Sequence, residues 1–439
     1  MCRYAPMELS FYGGAQEVGR NCIGIREGPA SLLMDCGVNV GAQTPHERNP
    51  LLTDSEARTY AQLAIAHAHL DHTGYLPVLY SKEKKYRAPI YATKPTHDLV
   101  GLLLADYQRL SNLFTADDIK RVVSHCKSLH FNQITGDKMK FSFHNAGHIL
   151  GSAMVLVHGK KRLLYTSDTN NRASRLLDAC HQGLHAETLI MESTYGAKAD
   201  IHEPLKDVTK DLIDSIETTI ISGGSVLIPS FAVGRAQEVL FILEQHMTSG
   251  ALSPVPIFVD GMILKANRIY RQNLEFAKAE VRHRLLHGGQ DPFKSKHFHV
   301  PKTRTRSDVL NQQAIIVSTS GMLTGGPALT YIKALAHDRN SLLAFVGYQS
   351  EGTPGRKILD GAREVELDGA KVKINMTVKK FDLSAHCDQA GLVQLARTTR
   401  GLKQVFLVHG EKEKFGELRD ALGKKYEVIV PKNGESFKV

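Results

Sequence analysis

Short apolar runs, each ending in a polar residue, recur through the first part of the chain. They occupy residues 32–37, 63–67, 163–168 and 188–192. Runs of this length that end in turn residues are typical of core strands, and the polar residue then lies at the strand end. Between them, apolar residues at helical spacing predict a helix over residues 96–110.

After residue 200 the pattern changes to alternating helices and strands. Apolar residues recur at helical spacing from Leu205 to Ile220, and a second helix is predicted over 235–247. Strands are predicted at 225–229, 256–259, 314–318 and 342–346. This alternation is typical of a parallel sheet with crossover helices. After Lys379 the earlier pattern returns, with a strand over 404–408 that ends on His409 and a last helix through about Gly423.

Length and composition limit the possible classes of protein. The 439 residues predict two or three domains, and 42% hydrophobic with 23% charged residues exclude a disordered, collagen-like or coiled-coil protein. The start of the sequence lacks the apolar segment of a signal peptide, and no stretch approaches the ~20 apolar residues of a membrane span. We therefore expect a cytoplasmic protein with no membrane partner.

The most specific motif is a cluster of histidines after the strand 63–67. The cluster reads His67-Ala68-His69-Leu70-Asp71-His72. In a turn that leaves a strand, these positions can point into one concavity from two sides, which gives two sets of ligands. Imidazole and carboxylate groups suit zinc, manganese or iron.

Further ligand candidates end other strands, namely His148, Asp168 and His409. Each alone would be read as a hydrogen-bonded core histidine or capping residue. Together they favour a binuclear metal site.

With Asp35 included, these residues resemble the metallo-β-lactamase superfamily. Further motifs are similar to those of the β-CASP nucleases, close to the endonuclease subunit of the cleavage and polyadenylation specificity factor and its single-chain archaeal and bacterial relatives. These motifs are 192–196 (ESTYG), 229–238 (PSFAVGRAQE), 320–322 (SGM), 347–349 (GYQ), 384–386 (SAH) and 407–411 (LVHGE).

The resemblance implies an α/β fold: an αββα metallo-β-lactamase sandwich with an inserted α/β (β-CASP) domain. The expected domains are the N-terminal part of the sandwich at 1–197, the β-CASP domain at 198–384 and the C-terminal part of the sandwich at 385–439.

The resemblance also implies two Zn²⁺ ions, with Mn²⁺ as a possible replacement. The ligands of the first ion would be His67, His69, His148 and Asp168. Those of the second would be Asp71, His72, His409 and a bridging Asp168. Asp35 would lie behind these ligands, bonded to one of the histidines or to the bridging water.

The resemblance further implies an RNA-cleaving hydrolase, with Glu192, His386 and Asp71 as catalytic residues. A histidine at the position of His409 is typical of RNA-cleaving members. A histidine outside the metal ligands can protonate the leaving oxygen, and Glu192 would orient His386 and keep it protonated. The alternative interpretation makes His386 an ordinary residue at a helix start; against it, Asp388 or Ser384 could cap that helix instead.

Several functional alternatives stay open from the sequence. The enzyme would be an endonuclease or a 5′-3′ exonuclease in RNA 3′-end processing or decay. A DNA nuclease, a small-substrate metallohydrolase and a non-catalytic RNA-binding subunit are the other classes. The sequence leaves open the RNA target, zinc against manganese, and the oligomeric state, with a homodimer or an RNA-processing complex as possible assemblies.

The positive charge is concentrated in one segment. The chain carries a net charge of +10, and residues 265–306 hold eleven basic and three acidic residues, which is +8. This segment would bind RNA phosphates or form a solvated face. The phosphate backbone of the RNA would be contacted by Arg235 and by the turn Ser320-Gly321-Met322. For that turn, a plain connection between a strand and a helix is the alternative. Aromatic residues make up 7% with no tryptophan, which argues against base stacking as the main mode of RNA binding.

Overall fold

The computed structural model of the protein describes residues 6–42, 44–286 and 291–439. The chain folds into two compact units. Unit 1 comprises residues 1–173, 177–201 and 386–439, and unit 2 comprises 174–176 and 202–385.

Unit 1 is built on two seven-stranded sheets and eight α-helices among its described residues. Its strands are β1 (Glu8–Gly13), β2 (Cys22–Glu27), β3 (Ala30–Met34), β4 (Leu63–Ala64), β5 (Ile90–Thr93), β6 (Cys126–Leu129), β7 (Ile134–Thr135), β8 (Phe141–Asn145), β9 (Ala153–His158), β10 (Arg162–Tyr165), β11 (Thr188–Glu192), β20 (Gln404–Val408), β21 (Glu427–Ile429) and β22 (Ser436–Lys438). Its helices are α1 (Pro45–Arg48), α2 (Asp54–Ala57), α3 (Leu70–Thr73), α4 (Leu76–Leu79), α5 (Lys94–Ser111), α6 (Ala116–His125), α13 (Gln389–Thr398) and α14 (Lys414–Leu422), with a 3₁₀ turn at Gly423–Lys425.

The two sheets of unit 1 share one apolar core. The first has the strand order β22-β1-β2-β3-β4-β5-β6, and the second has the order β21-β20-β11-β10-β9-β8-β7. Phe11 of the first sheet packs on Phe406 of the second, with ring centroids 5.4 Å apart. A second apolar cluster lies against α13 and α14 and includes Leu392 and Leu418. The layers are those of a helix-covered sandwich of two sheets.

Among its described residues, unit 2 contains a six-stranded parallel sheet and a separate hairpin. The strands are β12 (Val226–Pro229), β13 (Ile257–Asp260), β14 (Phe298–His299), β15 (Ile315–Ser318), β16 (Leu342–Phe345), β17 (Glu364–Leu367), β18 (Ala370–Lys373) and β19 (Thr377–Lys380). The helices are α7 (Leu205–Ile221), α8 (Arg235–Thr248), α9 (Ile263–Gln272), α10 (Ala279–Leu286), α11 (Ala328–Leu335) and α12 (Pro354–Leu359), with 3₁₀ turns at Leu274–Phe276 and Thr303–Asn311. The sheet order is β14-β13-β15-β12-β16-β19, and every pairing in it is parallel.

The spacing of apolar residues explains which faces of the helices and strands of unit 2 are buried. The apolar stripe of α7, from Val208 to Ile220, is buried in one cluster together with the inward side chains of α8 and of the parallel strands. A second cluster covers the other face of the sheet and includes Tyr331 of α11 and Phe345 of β16. Burial of both faces accounts for the continuous apolar runs in these strands.

The predicted elements are found with small shifts of their ends. The strand predicted over 63–67 is shorter, because only Leu63 and Ala64 form a ladder and the backbone leaves the sheet before His67. The helix predicted over 96–110 extends over Lys94–Ser111; the Thr93 side chain accepts a hydrogen bond from the Thr96 N–H at its start, and Asn112 ends it in the left-handed conformation. Among the described residues, no helix combines the length and apolarity required to cross a membrane.

Candidate metal centre

The candidate ligands of the first ion converge at the ends of strands in unit 1. His67 follows β4, His69 precedes the one-turn helix α3, and His148 lies in the turn between β8 and β9. His69 Nδ1 lies 3.2 Å from His67 Nε2 and 3.2 Å from His148 Nε2. Three imidazole nitrogens this close either share protons or share a cation. The donor set therefore fits a divalent metal.

A second group of ligands lies beside the first. Asp71 Oδ2 is 3.1 Å from His409 Nε2 and 3.6 Å from His72 Nε2. His72 is fully buried within α3, and His409 directly follows β20. All ligand atoms within each group lie within 4.8 Å of one another.

Asp168 belongs to both groups. Its Oδ2 lies 3.5 Å from His67 Nε2 and 3.6 Å from His148 Nε2, whereas its Oδ1 lies 3.3 Å from His72 Nε2 and 3.2 Å from His409 Nδ1. One carboxylate thus presents one oxygen to each group. This arrangement fits a pair of metal ions that share a ligand.

Burial and neighbouring charges determine the protonation states of the candidate ligands. Burial lowers the pKa of His67 well below its ordinary value, so its imidazole is neutral and has a lone pair to donate. Burial would raise the pKa of Asp168, but the neighbouring His409 and His72 outweigh burial and hold that pKa well below the ordinary value. The site therefore presents a neutral imidazole at His67 and an ionised carboxylate at Asp168. Burial would lower the pKa of His72 and of His409 as well, but the Asp168 carboxylate and its neighbours outweigh burial and raise both pKa values.

Asp35 lies directly behind His72. Its Oδ2 is 2.7 Å from His72 Nδ1, and its Oδ1 accepts a hydrogen bond of 2.8 Å from the Ala66 N–H. Asp35 has a φ of 56°, which turns the chain sharply after β3 and brings the carboxylate under the ligand. A carboxylate on the outer nitrogen of a histidine fixes the ring so that the other nitrogen faces the metal.

Two further residues support the ligands, and the sequence motifs indicated neither of them. The Tyr165 hydroxyl donates a hydrogen bond of 2.8 Å to Asp35 Oδ2. Ser167 Oγ lies 3.3 Å from His67 Nδ1 and 3.4 Å from His72 Nδ1, and Ser167 has a φ of 50°. The available signal was their position next to Asp168 at the end of a buried strand.

His386 and Glu192 form a pair at the edge of the ligand groups. His386 Nδ1 lies 2.8 Å from Glu192 Oε2 and 3.0 Å from Oε1, and His386 Nε2 lies 4.0 Å from Asp168 Oδ2. Burial would lower the pKa of His386, but the carboxylates of Glu192, Asp168 and Asp71, with Glu192 contributing most, together outweigh burial and raise this pKa to about 9.

His386 is not the N-terminal cap of the helix that follows it. The Asp388 side chain accepts a hydrogen bond of 2.8 Å from the Gly391 N–H and caps α13. Glu192 is itself fixed, because its carboxylate accepts hydrogen bonds from the Thr169 N–H at 2.7 Å and the Thr194 hydroxyl at 2.6 Å.

The candidate RNA contacts lie together in unit 2, at the carboxyl end of the parallel strands. Gly321 is so close to the backbone of Ser230 and Phe231 that a Cβ there would meet the Phe231 nitrogen at 2.9 Å. Gln349 Nε2 donates a hydrogen bond of 2.9 Å to the Gly321 carbonyl. Ser320 and Met322 are partly exposed in the same turn.

Arg235 begins α8, and its guanidinium donates a hydrogen bond to the Leu383 carbonyl. This arginine therefore has a structural contact within unit 2. The carboxyl ends of parallel strands are where α/β sheets usually bind ligands.

Comparison with protein-family models matches three domains along the chain. A metallo-β-lactamase superfamily domain matches residues 26–194, a β-CASP domain matches 236–358, and a Zn-dependent metallo-hydrolase RNA specificity domain matches 371–431. The protein belongs to the metallo-β-lactamase superfamily and, within it, to the β-CASP family, with the β-CASP domain inserted into the metallo-β-lactamase domain.

Its similar relatives include archaeal proteins named transcription termination factor FttA. That of Methanothermobacter thermautotrophicus is 36% identical, over 98% of this chain and 71% of the relative. That of Pyrococcus abyssi is 37% identical, over 96% and 69%, and that of a Lokiarchaeum is 35% identical, over 98% and 71%. A solved structure titled as a protein of unknown function from Enterococcus faecalis has a TM-score of 0.61 at 13% identity, covers 99% of this chain and 100% of its own, and shares the fold.

Proposed function

We propose that this protein is a metal-dependent ribonuclease that hydrolyses RNA phosphodiester bonds, with endonucleolytic cleavage as its main activity. Membership of the β-CASP family, an RNA specificity domain and relatives named as termination factors support RNA as the substrate. The observation that carries the proposal is the His386–Glu192 pair beside the shared carboxylate of Asp168. The proposed setting is cytoplasmic RNA 3′-end processing or decay, as a homodimer or within an RNA-processing complex.

The proposed metal ions are two Zn²⁺, for which Mn²⁺ is a possible replacement with these ligands. His67, His69, His148 and Asp168 would hold one ion, and Asp71, His72, His409 and Asp168 would hold the other. When bound, such a pair supplies a hydroxide nucleophile near neutral pH and neutralises charge on the phosphate. Asp71 would also orient the nucleophile, since its carboxylate lies at the partly exposed side of the site.

His386 would act as the general acid. With Nδ1 held by Glu192, the protonated ring can give its Nε2 proton to the leaving 3′ oxygen, so the products carry a 5′-phosphate and a 3′-hydroxyl. The Glu192 carboxylate stabilises the imidazolium form, raising the pKa of His386 and keeping this proton available at neutral pH. General acid catalysis of this kind contributes roughly 10²–10⁴-fold to the rate.

The test uses circular RNA and linear RNA with either a blocked or a free 5′ end, each with and without a chelator. Cleavage of the circle that stops with chelator supports the proposal. Intact circles beside shortened unblocked linear RNA would instead identify a 5′-3′ exonuclease. Cleavage that persists after metal removal would overturn the proposed mechanism. Cleavage of DNA but not of RNA would overturn the proposed substrate.

A further inference from the structure

A pocket of about 360 Å³ opens at the amino ends of three strands in unit 2. Residues 254–256 directly precede β13, Lys296 and His297 precede β14, and Gln312 comes shortly before β15. These strands are parallel, so the pocket lies at the edge of the sheet opposite to Ser320 and Arg235, which follow the carboxyl ends. The pocket is therefore separate from the turns already considered for RNA contact.

The lining of the pocket combines aromatic, apolar and basic groups. The Phe258 and His299 rings lie with centroids 5.7 Å apart at 45°, and Pro254 and Pro256 add apolar surface beside them. Lys296 and His297 complete the wall. A flat apolar face beside a cationic rim suits a nucleobase with its phosphate, and the volume falls in the range of roughly 300–1,000 Å³ found for ligand pockets.

Two lysines beside this pocket have no carboxylate partner among the described residues. The segment 294–302 contains three lysines and two histidines and no acidic residue. Lys294 and Lys296 are exposed, and neither has a carboxylate partner within the described residues. Elsewhere in the basic segment, Arg271, Arg284 and Arg306 each pair with a carboxylate of the same unit.

The pocket also lies at an open edge of the sheet. Among the described strands, β14 pairs only with β13 and is the last strand of its sheet. Val300, which follows β14, is 58% exposed, so apolar surface continues outward from the pocket. The pocket therefore adjoins an unpaired strand edge with an exposed apolar side chain next to it.

We infer that this pocket is an accessory binding site for single-stranded RNA, in which a base stacks on Phe258 and His299 while Lys294 and Lys296 contact neighbouring phosphates. The inference rests on the proposed function for its ligand class. It assigns RNA-binding charge of unit 2 to the two lysines just before β14, and it adds an RNA site built from residues other than the proposed metal ligands.

The first test measures the affinity for a long unstructured RNA as a function of salt, in the His386→Ala background so that the RNA stays intact. The variant Lys294→Glu/Lys296→Glu should lower affinity ~10-fold at low salt and reduce the slope of log Kd against log salt by about 2, one for each lost phosphate contact. Lys373→Glu, on an exposed lysine of β18, is the matched control and should bind like the parent. A double variant with the parent's slope overturns the inference.

The second test separates stacking from charge. Phe258→Leu keeps an apolar side chain at this half-buried position, and His299→Ala removes the second ring. Both variants should weaken binding several-fold while the salt slope stays constant, because stacking of a base on a ring neutralises no phosphate. Circular dichroism checks the fold of each variant. Unchanged affinity in both would overturn the stacking part of the inference.

A third measurement distinguishes this inference from the proposed function. The same lysine and aromatic variants, made in the wild-type chain, should cleave a short RNA of roughly six nucleotides at the wild-type rate, because an RNA this short can bind at the metal centre without occupying the pocket. If the wild type cleaves no RNA and the variants still lose binding, the catalytic proposal fails and the pocket stands. If cleavage is normal and binding is unaffected, the pocket fails alone.

Discussion

The contact between His386 and Glu192 predicts a specific defect in a single variant. His386→Ala should lower the rate constant for RNA cleavage at least ~10²-fold, because the leaving oxygen loses its proton donor. The metal content, measured on the purified protein, should match the wild type, since His386 belongs to neither four-ligand group. His337→Ala, at an exposed histidine, should leave both quantities unchanged. Wild-type turnover by His386→Ala would remove this residue from the mechanism.

The same pair predicts the alkaline limb of the pH profile. The pKa of His386 is raised to about 9, so the acid is protonated below that pH and its contribution is lost as the pH rises through it. In Glu192→Gln the carboxylate that raises this pKa is gone, so the fall in kcat should begin at lower pH. Profiles of kcat for the two proteins between neutral and alkaline pH test this. Coincident alkaline limbs would show that Glu192 does not set the protonation of the acid.

Tyr165 carries a prediction about metal affinity. Tyr165→Phe removes the hydrogen bond to Asp35 Oδ2, which also holds His72, and such supporting bonds typically contribute roughly 10–100-fold to metal affinity. Competition with a chromophoric chelator measures the loss. The matched control is Tyr86→Phe, which removes a buried hydrogen bond of the same 2.8 Å length to the Tyr60 carbonyl. Equal metal affinity in both variants would contradict a supporting role for Tyr165.

At the scale of elements, the sequence predicted most of what brings the ligands together. Apolar runs located the strands, and the polar residue after each run became a candidate ligand because several strand ends meet at one edge of the sandwich. The backbone conformation at those ends could not be predicted. Asp35, Ser167 and His409 all have a positive φ, and this depends on packing and hydrogen bonds from distant segments, such as that of the His409 N–H to the Gly14 carbonyl.

The pair β8–β9 predicts a loss of stability in mild acid. His144 and His158 both lie 2.9 Å from Ser142 Oγ, and burial lowers the pKa of His144 to about 4. The unfolded chain, with an ordinary histidine pKa of about 6.5, takes up a proton first, so the free energy of unfolding should fall as the pH drops from about 6.5 to 4.

The variant His144→Gln tests this. Its free energy of unfolding, measured with urea at several pH values, should fall less steeply over that range, by up to about 1.4 kcal/mol for each pH unit. Parallel curves for the two proteins would show that another group accounts for the acid sensitivity.

At the scale of the whole molecule, net charge was a poor guide to the surface. The sequence located +8 of the +10 in residues 265–306, but three arginines of that segment pair with carboxylates of unit 2, and two of those carboxylates, Asp260 and Glu244, lie outside the segment. A count along the sequence cannot see such long-range pairing. Residues 287–290 of that segment lie outside the described structure.

All candidate ligands belong to unit 1, and this predicts where metal removal acts. Chelation should speed amide hydrogen exchange around residues 64–72 and 165–168, because burying the ligand groups without cations costs free energy. The strands β12, β13 and β15, whose core holds no candidate ligand among the described residues, should exchange at an unchanged rate. Exchange followed by mass spectrometry with and without chelator measures this, and uniform acceleration across both units would contradict it.

The spread of the ligands along the chain has a consequence for synthesis. Asp168 completes the first ligand set, whereas the second needs His409, which lies 338 positions after Asp71. When residues up to 168 have emerged from the ribosome, the first set of candidate ligands is complete and the second is not. The proposed general acid, His386, has not yet been synthesised. On the proposed function, the nascent chain would hold one complete ligand set early but would lack both the second set and the general acid until residue 409 has emerged, so it would not yet cleave the transcript that is being translated.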